Sequence, residues 1–147
     1  MAAAAWKVYN EAKQYMLNGT VDLDASSLRM VLAKSTSNAS TFTLSTGASI
    51  SNLVTANLSG SGIRSLTASM IAGANASTYK FTFANVIFTA SGGDTTSIMY
   101  AVIYVSGGKA ICWSKLSTAI FSVTSGNTLT IGANSTGGAF TISGGTS

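Results

Sequence analysis

The sequence Ile98-Met99-Tyr100-Ala101-Val102-Ile103-Tyr104-Val105 is the longest strongly apolar run of the chain. It is far shorter than the roughly 20 residues that a membrane-spanning helix needs. Its β-branched and aromatic residues favour a strand, and an uninterrupted apolar run is typical of a strand that is covered on both faces. Residues 28–33 are similarly apolar. We therefore predict that these two runs form central strands of a sheet.

Outside these runs, apolar residues alternate with Ser and Thr, which is the pattern of half-buried strands. Glycine-rich turn signals separate the alternating segments, and Ser125-Gly126-Asn127 joins two of them. Two alternating runs separated by a short Gly-containing turn predict a β-hairpin. The alternating segments are residues 41–45, 79–83, 121–124, 128–131 and 140–143.

Eight to ten short strands at this spacing indicate an antiparallel sandwich or a barrel. A chain of 147 residues suits one domain. We predict a single domain over residues 1–147, mainly β. It is an antiparallel, jelly-roll-like β-sandwich over about 20–143, with one N-terminal α-helix and a loose, Gly-rich C-terminal end.

The helix is predicted near residues 3–17, where good helix formers predominate and Asn18-Gly19 follows as a helix end. Its aromatic residues recur at helical spacing and allow two interpretations. They pack against the domain's own sheet, or the helix docks on a neighbouring subunit. For the second interpretation, the candidate subunit or shell contacts are Trp6, Lys7 and Tyr9, since aromatic residues often dominate such contacts.

Composition excludes several kinds of chemistry. The chain has no His and one cysteine, Cys112. It therefore lacks a Ser-His-Asp triad, an internal disulfide and a zinc-binding Cys/His set. Asp22 and Asp24 suggest calcium, but four acidic residues are few for an ion that takes six to eight oxygens, and turn roles explain them. The adjacent Ser114 and Lys115 are expected by chance among so many serines. We predict no catalytic, cofactor or metal site, and no enzyme.

The polar side chains of the protein are mostly hydroxyl groups and not charged groups, since the chain has 23 Ser and 19 Thr but 12 charged residues. The cations lie scattered from Lys7 to Lys115, unlike the basic stripe of a nucleic-acid binder. The N-terminus lacks the basic and apolar regions of a secretory signal. We therefore expect no nucleic acid and no membrane. Few charged residues together with a mean hydropathy of +0.38 indicate that much of the surface is buried in contacts with other proteins or with copies of the same chain, as in a homo-oligomer.

Several stretches in this order resemble a group of small virion proteins of tailed bacteriophages, of the capsid cement or decoration type. The resemblance covers roughly residues 6–132, and the sequence departs from the group at Ile63, where an aromatic is more usual. The stretches are residues 6–13 (WKVYNEAK), 18–24 (NGTVDLD), 28–32 (LRMVL), 60–66 (GSGIRSL), 83–94 (FANVIFTASGGD) and 100–104 (YAVIY).

The resemblance implies a cement protein made in the bacterial cytoplasm and located on the capsid surface of the virion. Its implied partners are its own copies, as a β-sandwich trimer, and the major capsid protein. A trimer matches the threefold sites of a shell and engages three equivalent patches together. A tail or fibre subunit is the first alternative. A carbohydrate-binding module is the second, with Trp113 or Tyr100 stacking on a sugar.

Overall fold

The computed structural model describes residues 5–24, 27–40, 64–66, 68–72, 78–106, 108–133 and 138–143. This part of the chain is mainly β, with antiparallel strands and one short N-terminal helix. The helix is α1 (Asn10–Leu17), and the strands are β1 (Lys7–Val8), β2 (Leu28–Lys34), β3 (Arg64–Ser65), β4 (Ala68–Ala72), β5 (Thr78–Phe83), β6 (Val86–Thr89), β7 (Thr95–Val105), β8 (Ala110–Lys115), β9 (Phe121–Val123), β10 (Thr128–Ile131) and β11 (Phe140–Ser143).

Three antiparallel sheets hold these strands. The large sheet has the order β1-β8-β7-β2-β3, and β9 pairs with the remaining part of β7. A three-stranded sheet has the order β11-β5-β4, and β10 pairs with β6 in a two-stranded sheet. None of these described sheets closes into a barrel. The buried side chains of all three sheets and of α1 belong to one hydrophobic cluster.

The centre of the large sheet is buried on both faces. On one face Met30 lies opposite Ile103, which lies opposite Cys112 on the next strand. On the other face Val31 lies opposite Val102. All five side chains are buried. The prediction that the two continuous apolar runs form central strands is therefore confirmed.

The helix is shorter than the predicted 3–17: it begins at Asn10, and residues 3–4 lie outside the described part. Lys7 and Val8 pair with β8 instead, and the Tyr9 N–H donates to the Ile111 carbonyl at 3.0 Å. Pairing with a distant strand thus overrides local helix propensity. The predicted end is confirmed, since Gly19 takes the left-handed conformation with φ +74°. Helix α1 is too short to cross a bilayer, and the described residues contain no helix that could.

The hairpin predicted around Ser125-Gly126-Asn127 is wrong. Strand β9 pairs with β7 and β10 pairs with β6, so the turn connects two sheets. Ala90 holds this turn: its carbonyl accepts from the Gly126 N–H at 2.8 Å, and its N–H donates to the Asn127 carbonyl at 3.0 Å. Alternation predicts the strands correctly but does not specify their partners. The strand predicted over 41–45 and the end of the C-terminal tail, 144–147, lie outside the described residues.

Candidate functional site

Trp6 is a core residue of the single chain. Only 7% of it is exposed, and its ring meets the Phe83 ring edge-on, with centroids 5.5 Å apart. The indole N–H is buried, and among the described residues it has no acceptor. A buried donor without an acceptor costs about 1–3 kcal/mol. The structure places Trp6 inside the domain, as the packing interpretation expects, and its role as a subunit contact stays a prediction.

Tyr9 is also buried, and its hydroxyl donates to the Ala39 carbonyl at 2.8 Å. Burial, with a smaller contribution from nearby Cys112, raises the pKa of Tyr9 well above its ordinary value of 10.0. The side chain therefore stays neutral and joins the start of α1 to the segment after β2. In the single chain this placement serves packing, and a contact made by Tyr9 to another subunit is likewise a prediction.

Lys7 points away from the core and is exposed. It lies opposite Trp113 in the pairing of β1 with β8, and its Nζ is 5.3 Å from the centre of the Trp113 ring. Such a cation–π contact contributes about 0.5–1 kcal/mol at an exposed site. Exposed Lys115 is two residues further along the same face of β8. We call Lys7, Trp113 and Lys115 the basic margin.

The fold gathers cations that are scattered in the sequence. The six strands of the large sheet contain none of the four acidic residues of the chain. They contain five of its eight cations, which are Lys7, Arg29, Lys34, Arg64 and Lys115. Sequence spacing did not show this, because strands far apart in the chain are neighbours in the sheet.

Asp22 and Asp24, weighed as calcium ligands, form a turn. The Asp24 N–H donates to the Asp22 Oδ1 at 3.0 Å, which is the local role that Asp commonly plays in turns. Within the described part of the chain, no cluster of three or more His, Cys, Asp or Glu side chains is found that could hold a metal.

The same two carboxylates lie on a shallow groove of about 380 Å³. Its described lining comes from the end of α1, the segment after it and β11: Met16, Gly19, Val21, Asp22, Leu23, Asp24 and Ile142. The lining is thus mostly apolar, with two acidic side chains. We call this lining the acidic groove.

Large apolar side chains next to the acidic groove remain exposed. Ile142, on the groove itself, is 48% exposed and lies opposite Tyr79, which is 55% exposed. The two side chains share a face of the three-stranded sheet, since directly paired residues of antiparallel strands do. Leu17, which follows Met16 in the chain, is also exposed, but it does not line the groove. We call Tyr79 and Ile142 the apolar patch.

Strand β8 contains three residues with potentially nucleophilic side chains, Cys112, Ser114 and Lys115. Ser114 is fully buried and Lys115 is exposed, because adjacent residues of a strand point to opposite faces. They do not form the dyad that their adjacency allowed. Burial raises the pKa of the Cys112 thiol well above its ordinary value of 9.0, which disfavours the nucleophilic thiolate.

Comparison of the chain with protein-family models, with curated proteins and with solved structures gives no match.

Proposed function

We propose that the protein is a structural component of a tailed-phage virion, of the capsid cement or decoration type. It acts by protein–protein contacts, with its own copies as a trimer and with the major capsid protein. The proposal is supported by the sequence resemblance and, from the structure, by one observation above all. The apolar patch remains exposed in the single chain.

Large apolar side chains gathered in one exposed region mark interaction surfaces more often than single scattered ones do. Tyr79 and Ile142 extend the row in which Phe81 and Phe140 stack at 5.0 Å. Phe81 is buried, and exposure rises towards Ile142. A protein partner that covers Tyr79 and Ile142 would extend the apolar core beyond the single chain. This is what we expect of a protein that acts by protein–protein contacts.

The jelly-roll-like sandwich belongs to the same proposal. It is supported by neighbours that are distant in the chain, such as β2 beside β7 and β1 beside β8, since Greek-key folds join strands by such long connections. An experimental structure of the trimer would test the arrangement directly.

The two alternative functions differ from the proposed one in the partner that the protein contacts. A tail or fibre subunit would present the same apolar patch to tail proteins. A carbohydrate-binding module would stack a sugar on Trp113, but Lys7 already lies over this ring and Tyr100 meets it edge-on, with centroids 5.9 Å apart. A sugar would have to displace Lys7, which makes this the weaker alternative.

Copy number in purified particles tests the proposal. Quantitative mass spectrometry of virions is expected to find hundreds of copies per particle. A few to tens of copies would assign the chain to the tail, and its absence from particles would refute a virion role. Binding of the free protein to a glycan array, without capsid association, would favour the carbohydrate alternative.

A matched pair of variants links incorporation to the apolar patch. Tyr79→Ser changes a residue of the apolar patch that does not line the acidic groove, and it is expected to lower the number of copies per particle. Ile120→Ser changes a similarly exposed apolar side chain in the connection between β8 and β9, and it is expected to leave incorporation unchanged. Equal incorporation of both variants would exclude the apolar patch as the contact.

A further inference from the structure

A cyclic trimer needs two different surfaces on each subunit. In a ring of three identical chains the contact is heterologous, so one surface of a chain meets a different surface of the next. The chain must then present two surfaces that complement each other in shape and charge. The acidic groove and the basic margin carry opposite charges.

The acidic groove supplies apolar walls and negative charge. Met16, Val21, Leu23 and Ile142 form its apolar lining, and its two exposed aspartates are half of the acidic residues in the chain. A cavity of roughly 150 Å³ already holds a benzene ring. A groove of about 380 Å³ therefore has room for a large side chain from a partner.

The basic margin supplies the opposite features. Half-buried Trp113 carries the ammonium group of exposed Lys7 over its ring, and exposed Lys115 lies two residues along the strand. The strands of the large sheet carry no acidic residue, so no carboxylate on those strands offsets the charge of the two lysines. Opposite charges across a contact steer association and set its register.

We propose that copies of this chain assemble head to tail, with the basic margin of one copy seated in the acidic groove of the next. The occupant of the groove is thus a second copy, because the same chain carries the complementary charge. The inference rests on the trimer of the proposed function and deepens it by naming the two surfaces. A closed ring of three satisfies every surface, whereas an open chain leaves one of each unpaired.

Charge reversal tests the contact in solution, with sedimentation velocity as the readout. The groove variant is Asp22→Lys/Asp24→Lys, and the margin variant is Lys7→Glu/Lys115→Glu. Each alone places like charges across the contact and is expected to weaken self-association by about a hundredfold or more. The control Arg29→Glu/Lys34→Glu makes the same charge change on β2 of the same sheet and is expected to leave association intact.

Rescue separates a broken contact from a damaged fold. The groove variant mixed with the margin variant is expected to associate, because each then offers opposite charge to the other. The chain that carries all four reversals is expected to associate with itself again. Circular dichroism of each variant checks that it is folded.

Three results would overturn the inference: an unmodified chain that stays monomeric at high micromolar concentration, association that survives both reversals, or folded variants whose mixture fails to associate. Binding of a monomeric chain to poly-glutamate or to an oligonucleotide would also overturn it, by assigning the margin another partner. Monomeric chains found in virions at hundreds of copies would overturn the inference and the trimer, and would keep the proposed cement role. Head-to-tail trimers that are absent from virions would support the inference and overturn the proposed function.

Discussion

Replacing Trp6 with alanine is expected to destabilise the domain by about 3–5 kcal/mol. An aromatic side chain buries about 150–250 Å², and at about 25 cal/mol per Å² that burial contributes roughly 4–6 kcal/mol. The edge-on contact with Phe83 adds about 0.5–1.5 kcal/mol. The buried indole N–H, which lacks an acceptor among the described residues, subtracts about 1–3 kcal/mol. These contributions centre on about 4 kcal/mol, which is within the range usual for Trp→Ala in a core.

Trp6→Phe isolates the cost of the N–H group. Phenylalanine keeps an aromatic ring and removes the donor. We therefore expect the free energy of unfolding of the Trp6→Phe variant to lie within about 1 kcal/mol of that of the unmodified protein. Ile120→Ala removes an exposed apolar side chain and is expected to change stability by less than about 0.5 kcal/mol.

Urea unfolding at neutral pH, followed by far-UV circular dichroism and extrapolated linearly to water, measures these differences. The measurement is repeated over a range of protein concentrations, because self-association itself adds stability. A loss below about 1 kcal/mol for Trp6→Ala, together with lost association, would refute the core assignment. Trp6 would then be a contact residue, as the docking interpretation expects.

Two further predictions concern backbone space and buried acids. Gly138→Ala is expected to cost more than about 2 kcal/mol, because a Cβ would lie 2.5 Å from the Phe81 carbonyl oxygen at φ +66°; Gly126→Ala, at φ +89° with nothing within 4 Å, is expected to cost about 1 kcal/mol. Stability is expected to fall as pH rises above about 9. Burial raises the pKa of Cys112 and Tyr9 above 9.0 and 10.0, so the unfolded chain releases these protons first, and each contributes up to about 1.4 kcal/mol per pH unit.

Urea unfolding checks both. Equal costs for the two glycine variants would mean that the Phe81 carbonyl moves away at no cost. Cys112→Ala removes the first proton and is expected to move the alkaline onset from about 9 to about 10. Stability that does not change between pH 8 and 11 would show that the two groups titrate alike in both states.

Periodicity predicted the strands because burial acts on local pattern. The apolar runs at 28–33 and 98–105 became β2 and β7, since a strand covered on both faces needs apolar residues at every position. The start of α1 was not predictable in this way. Residues before Asn10 have helix propensity, but the Tyr9 N–H donates a hydrogen bond to the Ile111 carbonyl. This partner lies about a hundred positions away in the chain, so the local sequence does not show where the helix begins.

The candidate contacts show the same limit. Helical spacing predicted that Trp6 and Tyr9 share a helix face, but both residues precede α1, and the spacing did not decide between the chain's own sheet and a partner. Exposure of Lys7 followed from the pairing of β1, which placed it over Trp113. No local signal connects residues 7 and 113, so the basic margin could be found only from the register of the strands.

The low charge of the chain gives the arrangement of its charges unusual weight. A protein with many ion pairs tolerates the reversal of one charge, because neighbouring charges of both signs screen it. Here the large sheet concentrates cations without acids, and half of the acids lie on one groove. Each side chain at these surfaces therefore controls a large share of the local potential. Association between them should weaken as salt is raised and the Debye length contracts, whereas contacts of the apolar patch should persist, so the salt dependence distinguishes the two surfaces in one protein.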